Sequence, residues 1–118
     1  MATFELADNR LIIQQGATYT LAINVTDSNG DTRDFSAYTA RMQGRKKYSS
    51  TTTEFSLTSG SGITLGSVTP NITIEIDAVT TAAISAPSEG VYDLEIVNGP
   101  IVERVLEGKF TVAPEVTR

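Results

Sequence analysis

Apolar and polar residues alternate along most of this chain. The alternation is clearest in segment 90–96, where three apolar residues are separated by acidic ones. A period of two residues is typical of a β-strand that buries one face and exposes the other. The turn sequence Asn98-Gly99-Pro100 follows, and then a second extended run to Val112. We therefore expect an antiparallel hairpin here, with one buried row on its first strand. That row is Tyr92, Leu94 and Ile96.

On the second run of the hairpin, alternation predicts which side chains face the core. The predicted inward residues are Val102, Leu106, Gly108, Phe110 and Val112. The predicted outward residues are Glu103, Glu107 and Lys109. Arg104 falls on the apolar face, so we expect it near the rim of the core, where its charged head can reach water.

Similar short segments recur at intervals of about 8–12 residues, with turn sequences between them. The predicted strands before the hairpin are 3–6, 11–14, 18–26, 39–47, 54–58, 63–65 and 72–76. One short helix of about two turns is predicted over residues 77–84, because Asp77 is a good N-cap and the alanines that follow tolerate a helix.

Seven to nine strands with this spacing indicate an all-β fold, an immunoglobulin-like (Ig-like) antiparallel β-sandwich. The chain contains no Cys and no Trp, so the disulfide and core Trp of antibody domains are missing. Tyr92 lies where such folds place a conserved corner tyrosine. We expect one domain over residues 1–118, with a short extended tail over 113–118.

Composition restricts the chemistry. Without His or Cys, the chain lacks the usual transition-metal ligands and the usual general base of Ser or Cys hydrolases. The net charge of −5 opposes nucleic-acid binding, and no apolar run is long enough to span a membrane. We therefore expect a protein that is not an enzyme and that uses no cofactor, metal, nucleic acid or membrane.

The segment Asp27-Ser28-Asn29-Gly30-Asp31 resembles the start of a calcium-binding loop. The EF-hand pattern requires Gly next and a Glu six residues after it, but the chain has Thr32 and Tyr38 there. We therefore expect a hairpin turn and no calcium site.

Basic residues are concentrated at one end of the predicted strand 39–47. The cluster consists of Arg41, Arg45, Lys46 and Lys47, flanked by Tyr38 and Tyr48. Three interpretations are open: a solvated strand face on which Lys discourages edge pairing, a nucleic-acid site, and a surface for an acidic protein partner.

Carboxylates are concentrated on the predicted outer face of the hairpin. Paired carboxylates can hydrolyse glycosides, but an open sheet face without Trp offers no cleft for that reaction. The alternative is that the acidic face lies opposite the basic strand, so that copies dock head to tail or around a ring. The residues are Asp93, Glu95, Glu103 and Glu107.

Four stretches carry a family resemblance. They are 15–21 (Gln-Gly-Ala-Thr-Tyr-Thr-Leu), 38–43 (Tyr-Thr-Ala-Arg-Met-Gln), 90–96 (Gly-Val-Tyr-Asp-Leu-Glu-Ile) and 105–118, which ends in Pro-Glu-Val-Thr-Arg. Together they resemble small virion structural proteins of tailed bacteriophages, especially those of cyanobacteria. They are also similar to the Ig-like N-terminal domain of phage baseplate upper proteins.

The resemblance implies a non-enzymatic virion protein, assembled in the host cytoplasm, that acts as an adaptor at the tail baseplate or fibre attachment. Its partners would be other virion proteins, and it would be present in several symmetric copies. A capsid decoration (cement) or neck protein is the alternative within this class. From another class, a carbohydrate-binding module for the host surface remains open, with Tyr38 and Tyr48 as its aromatic platform.

The residues expected to contact a partner belong to the basic cluster and to the tail. They are Tyr38, Arg41, Arg45, Lys46, Lys47, Tyr48, Pro114, Glu115, Val116 and Arg118.

Overall fold

A computed structural model describes residues 10–117 and the backbone of Ala2–Thr3. Most of the predicted strand 3–6, and Arg118, lie outside this part. Within it there are nine strands and one helix. The elements are β1 (Ala2–Thr3), β2 (Leu11–Gln14), β3 (Tyr19–Val25), β4 (Thr39–Arg45), β5 (Phe55–Ser59), β6 (Gly62–Leu65), β7 (Ile72–Ile76), α1 (Ala78–Ala82), β8 (Ser88–Asn98) and β9 (Ile101–Ala113).

The strands form a nearly closed sandwich. One layer has the order β1-β3-β7-β6 and the other β5-β4-β8-β9-β2, and β5 and β6 join the two. Immunoglobulin domains use the corresponding orders A-B-E-D and C′-C-F-G. The predicted Ig-like sandwich is therefore confirmed. Its sheet is mixed, because β2 pairs with β9, and β5 with β6, in the parallel direction.

The core lies between the layers. In β7, every second residue points inward: Ile72, Ile74 and Ile76 are fully buried. They belong to the same core as the inward residues of β8 and β9. Burying a side chain of this size contributes about 1.5–3 kcal/mol. The hydrophobic pattern of the sequence therefore accounts for the main stabilising contacts of the fold.

Glycines and aromatic residues alternate across the second layer. Gly44 of β4 lies opposite Phe55 on one side and Tyr92 on the other. Gly90 of β8 lies opposite Phe110 of β9. A Cβ added at Gly44 would overlap the Phe55 ring, and one at Gly90 would overlap the Phe110 ring and a backbone carbonyl. The missing side chains thus make room for aromatic rings that fill the core.

The hairpin of β8 and β9 is confirmed, but its second strand contains a β-bulge. Leu94 pairs with Leu106, whereas Glu95 pairs with Arg104, which leaves Val105 as the extra residue. A bulge shifts the alternation of the residues beyond it to the opposite face.

The bulge overturns three predictions. Glu103 lies opposite buried Ile96, on the inner side of the sheet. Arg104 lies opposite Glu95 on the outer face, and Val102 is 46% exposed. The predicted facing of Val102, Glu103 and Arg104 was wrong because uninterrupted alternation was assumed across Val105.

The predicted helix is present, but it is shorter than the expected two turns, because α1 is a single turn over Ala78–Ala82. Asp77 caps it, with a carboxylate oxygen that accepts a hydrogen bond from the Thr80 N–H at 2.8 Å. Hydrogen bonds from Thr80 also lower the pKa of Asp77. No helix in residues 10–117 has the length and apolar character needed to cross a membrane.

The Gly90–Phe110 pair gives a direct test of packing in this layer. Gly90→Ala should lower the free energy of unfolding by about 1–3 kcal/mol, because the added methyl group forces the ring and backbone apart. Denaturant unfolding followed by far-UV circular dichroism measures this change. Gly66→Ala is the control, since its Cβ would meet no atom within 4 Å and should change stability by less than about 0.5 kcal/mol. Equal effects of the two substitutions would contradict this packing.

Candidate partner-binding surface

The outer face of β4, β8 and β9 carries a network of ion pairs. Arg41 Nε donates to Glu95 Oε1 at 2.8 Å. Arg104 lies 3.5 Å from Asp93, 3.9 Å from Glu95 and 3.5 Å from Glu107. Because these side chains are partly exposed, each pair contributes little stability, about 0–1 kcal/mol. Together they neutralise most of the charge on this face.

This network overturns two interpretations of the charge pattern. The basic strand β4 lies beside the acidic strand β8 and not opposite it, so the two charges cancel within one face. In addition, β4 is an interior strand, paired with β5 on one side and β8 on the other. Its basic residues therefore do not protect a sheet edge.

Asp93 has the most distinctive environment on this face. Burial is the largest cause of its raised pKa, and the nearby Glu95 and Glu107 carboxylates add to it, while Arg104 and Arg41 oppose the shift. No donor in the described residues forms a hydrogen bond to its carboxylate. Asp93 is thus a half-buried acceptor with unused hydrogen-bonding capacity.

At one end of β4, a tight turn is held together by side chains. Arg45 donates to the Ser50 carbonyl at 2.9 Å and to the Gln43 side-chain oxygen at 3.0 Å. The Ser50 N–H donates to the Lys47 carbonyl, and the Lys47 N–H to the Ser50 hydroxyl. The turn holds Tyr48 at its tip, where it is 85% exposed. Arg45 therefore supports the turn and is not free for a partner.

The two lysines of this turn are the unengaged part of the predicted basic cluster. Lys46 and Lys47 are both exposed, and within residues 10–117 neither side chain forms an ion pair or a hydrogen bond. Arg41 and Arg45, by contrast, are held by Glu95, Gln43 and the turn. The structure therefore divides the cluster into two structural arginines and two available lysines.

Two shallow grooves adjoin on the outer face between β4 and β8. The first has a volume of about 160 Å³ and is lined by Gln43, Arg45, Tyr48, Val91, Tyr92 and Asp93. The second, of about 270 Å³, is lined by Arg41, Met42, Gln43, Asp93 and Glu95. Gln43 and Asp93 line both grooves, so they mark the centre of one elongated depression.

Tyr38 lies at the opposite end of β4 from Tyr48. The seven residues of β4 separate them, roughly 20 Å of extended chain. The ring of Tyr38 packs edge-on against Phe35, with centroids 5.1 Å apart. The predicted joint platform of Tyr38 and Tyr48 is therefore wrong.

Around Tyr38, the structure contains a cluster that the sequence did not reveal. Arg33 forms a two-pronged ion pair with Glu103, at 2.9 and 3.1 Å, and its guanidinium lies 4.9 Å from the Phe35 ring centre. Hydrogen bonding to Arg33 lowers the pKa of Glu103, and the same bond raises the pKa of Arg33. The cluster joins the β3–β4 connection to the hairpin.

Buried Asn71 also stabilises the β3–β4 connection. Its side-chain nitrogen donates to the carbonyls of Val25 and Arg33, and its side-chain oxygen accepts from the Val25 N–H. Because both polar atoms of this buried amide have hydrogen-bond partners, the side chain restricts the backbone around it. No motif marks this role, because an Asn after a Pro is equally typical of an ordinary turn.

The segment 27–31 forms the predicted turn. One carboxylate oxygen of Asp27 accepts hydrogen bonds from the backbone N–H groups of Asn29 and Asp31, and Gly30 has a φ of 85°. In residues 10–117, no three or more His, Cys, Asp or Glu side chains are grouped so that they could hold a metal ion.

The C-terminal tail folds back on the β2–β3 turn. The Glu115 N–H donates to the Gln15 side-chain oxygen at 3.1 Å, and the Gln15 side-chain nitrogen donates to the Ile84 carbonyl at 2.9 Å. The Glu115 carboxylate packs over Gly16, where a Cβ would overlap it. Pro114 and Val116 are exposed, with Val116 at 91%. Glu115 is therefore part of the fold, while Val116 is available for contacts.

The Arg33–Glu103 pair predicts a pH-dependent contribution to stability. Because the pKa of Glu103 is lower in the folded protein, the contribution is present above the ordinary Glu value of 4.5 and is lost as the pH falls through the folded value. Glu103→Gln should cost about 1 kcal/mol at pH 7 and progressively less in acid. Unfolding measured from pH 7 to pH 3 checks this, with Glu75→Gln on the exposed face of β7 as the control. A Glu103→Gln effect independent of pH would contradict the ion pair.

The tail contact gives a second prediction. Gln15→Ala removes two side-chain hydrogen bonds and should cost about 1–2 kcal/mol, and the Glu115 amide should exchange its hydrogen faster. Gln14→Ala, at the exposed last position of β2, should change neither. Hydrogen-exchange mass spectrometry of the C-terminal peptide measures the effect, and unchanged exchange would show that Gln15 does not hold the tail.

No protein-family model matches the sequence, and no curated protein matches it. Among solved structures, the chain is similar to murine CRIg, an immunoglobulin-like domain, with 7% sequence identity and a TM-score of 0.42. This match covers 98% of this chain and 99% of that chain. The Ig-like assignment rests on the order of the strands and on the core between the two layers.

Proposed function

We propose that this chain is a non-enzymatic structural protein of a tailed bacteriophage particle. In this proposal it is an Ig-like adaptor at the tail baseplate or fibre attachment, where it joins larger virion components. The resemblance of four stretches of sequence to phage virion proteins supports the proposal. Three of these stretches contribute to the neighbouring strands β4, β8 and β9, and the fourth, 15–21, contacts the tail through Gln15 and Gly16.

The observation that carries the adaptor role is the turn after β4. It projects Lys46 and Lys47 beyond a rigid sheet whose other charges are largely paired. Unpaired charges at the edge of a surface steer a partner of opposite charge and set its orientation. The proposed partner surface is therefore acidic, and it meets the turn.

Several symmetric copies would strengthen such a contact. Two lysines at an exposed turn provide a small interface, and small interfaces bind weakly by themselves. When copies are arranged on a symmetric particle, the second and later contacts form at a high effective concentration. A modest contact per copy therefore suffices for stable incorporation.

Mass spectrometry of gradient-purified phage particles from the host lysate tests the proposal. The protein should be present in intact particles, and antibodies against it should label the tail tip in electron micrographs. Labelling of the capsid or neck would support the decoration or neck alternative instead. Absence from particles, combined with presence in the unassembled lysate, would contradict a virion role.

Charge reversal tests the contact itself. Lys46→Glu together with Lys47→Glu should reduce incorporation into particles by about tenfold, because the lysines would then repel an acidic partner. The melting temperature should stay the same, since neither side chain contributes to the fold. Lys109→Glu, at an exposed position on β9, is the matched control and should incorporate normally. Normal incorporation of the double variant would remove the turn as the contact surface.

A further inference from the structure

The groove between β4 and β8 offers hydrogen-bonding groups that the fold does not use. Asp93, at its centre, forms an ion pair with Arg104 at 3.5 Å but accepts no hydrogen bond in the described residues, so its carboxylate can accept from a ligand. The Gln43 side-chain oxygen accepts from Arg45, which leaves the amide N–H groups of Gln43 free to donate. A donor and an acceptor therefore lie side by side in a depression about two strands wide.

An aromatic ring stands at one end of this groove. Tyr48 lines it and is 85% exposed, and the turn that carries Tyr48 is held by Arg45 and Ser50. Because the turn already fixes the backbone that carries the ring, a ligand that stacks on Tyr48 restricts only the side-chain torsions. Exposed aromatic surface beside polar groups suits a ligand with both flat C–H faces and hydroxyl groups.

The charges that line the groove balance. They are the guanidinium groups of Arg41 and Arg45 and the carboxylates of Asp93 and Glu95, and Arg41 pairs with Glu95. An anionic ligand would meet Asp93, whose negative charge is already disfavoured by burial and by its acidic neighbours. A cationic ligand would meet the guanidinium groups. The arrangement therefore favours a ligand without net charge.

We propose that this groove binds a neutral oligosaccharide of two or three sugar rings. One ring stacks on Tyr48, while hydroxyl groups of the sugar donate to Asp93 and accept from Gln43. This differs from the platform of Tyr38 and Tyr48 suggested by the sequence, and it goes beyond the proposed adaptor role. Because the groove is shallow, the sugar stays largely exposed, and the dissociation constant lies in about the millimolar range.

Titration of the ¹⁵N-labelled protein with cellotriose and with chitotriose tests the proposal. Both probes are neutral and have rings with flat C–H faces. At least one of them should shift the backbone amide signals of Gln43, Tyr48 and Asp93, whereas trigalacturonate, an anionic trisaccharide, should not. No shift with either neutral probe at concentrations well above the expected dissociation constant overturns the proposal, as does a response to trigalacturonate alone.

Substitutions at two groove residues test which side chains hold the sugar. Tyr48→Ala should weaken binding by about fivefold to tenfold, while Tyr48→Phe, which keeps the ring, should bind nearly as well as the original chain. Asp93→Asn should also weaken binding, since the amide accepts hydrogen bonds less strongly. Val68→Ala, at an exposed position on the β6–β7 connection, is the control. Unchanged binding by Tyr48→Ala, in a chain whose spectrum shows it to be folded, overturns the assignment.

The proposed sugar site and the proposed adaptor contact can be tested independently of each other. The double charge reversal at Lys46 and Lys47 should leave oligosaccharide binding in place, because neither lysine lines the groove. Asp93→Asn should in turn leave particle incorporation unchanged. Loss of both properties in either variant would contradict the separation of the two sites.

Discussion

One extra residue in β9 determines how the charged side chains of this protein are distributed. Val105 is inserted opposite the Leu94–Glu95 step, so the side chains before it exchange faces relative to a regular strand. Arg104 therefore reaches the acidic residues of the outer face, and Glu103 turns towards Arg33 on the inner side. Without the bulge, Arg104 would take the partly exposed place opposite Ile96, and Arg33 would lie near another guanidinium in place of its carboxylate partner.

The pairing that follows from this register leaves a small set of groups available on the outer face. Arg41, Arg45 and Arg104 are occupied by neighbours within the same sheet, which keeps them from competing for a ligand. Apart from Lys109, which is exposed on β9, the available groups are the lysine pair on the turn after β4 and the groups of the groove around Asp93. Both features depend on a rigid support, because the groove is formed between paired strands and the turn is held by Arg45. The proposed functions thus rest on the same contacts that stabilise the fold.

Features determined by neighbouring residues could be predicted from the sequence. The strand β3, the hairpin turn at Gly99 and the Asp77 cap all depend on a few adjacent positions, and each is present in the structure. The bulge could not be predicted, because Val105 and Leu106 are both acceptable inward residues. The alternation of apolar and polar residues therefore does not show at which of them the register changes. The Arg33–Glu103 pair joins positions 70 residues apart, with no motif to mark them. Tyr38 and Tyr48 are close in the sequence, which suggests a common site, but an extended strand separates them in the structure.

The distribution of charge depends on the register of the hairpin, and nuclear Overhauser effects between β8 and β9 measure that register directly. The bulge predicts cross-strand contacts that place Glu95 opposite Arg104 and Leu94 opposite Leu106, with Val105 unpaired. Contacts that place Glu95 opposite Val105, in a regular register along the whole hairpin, would contradict it. In that case neither the ion pairs of Arg104 nor the Arg33–Glu103 pair could form.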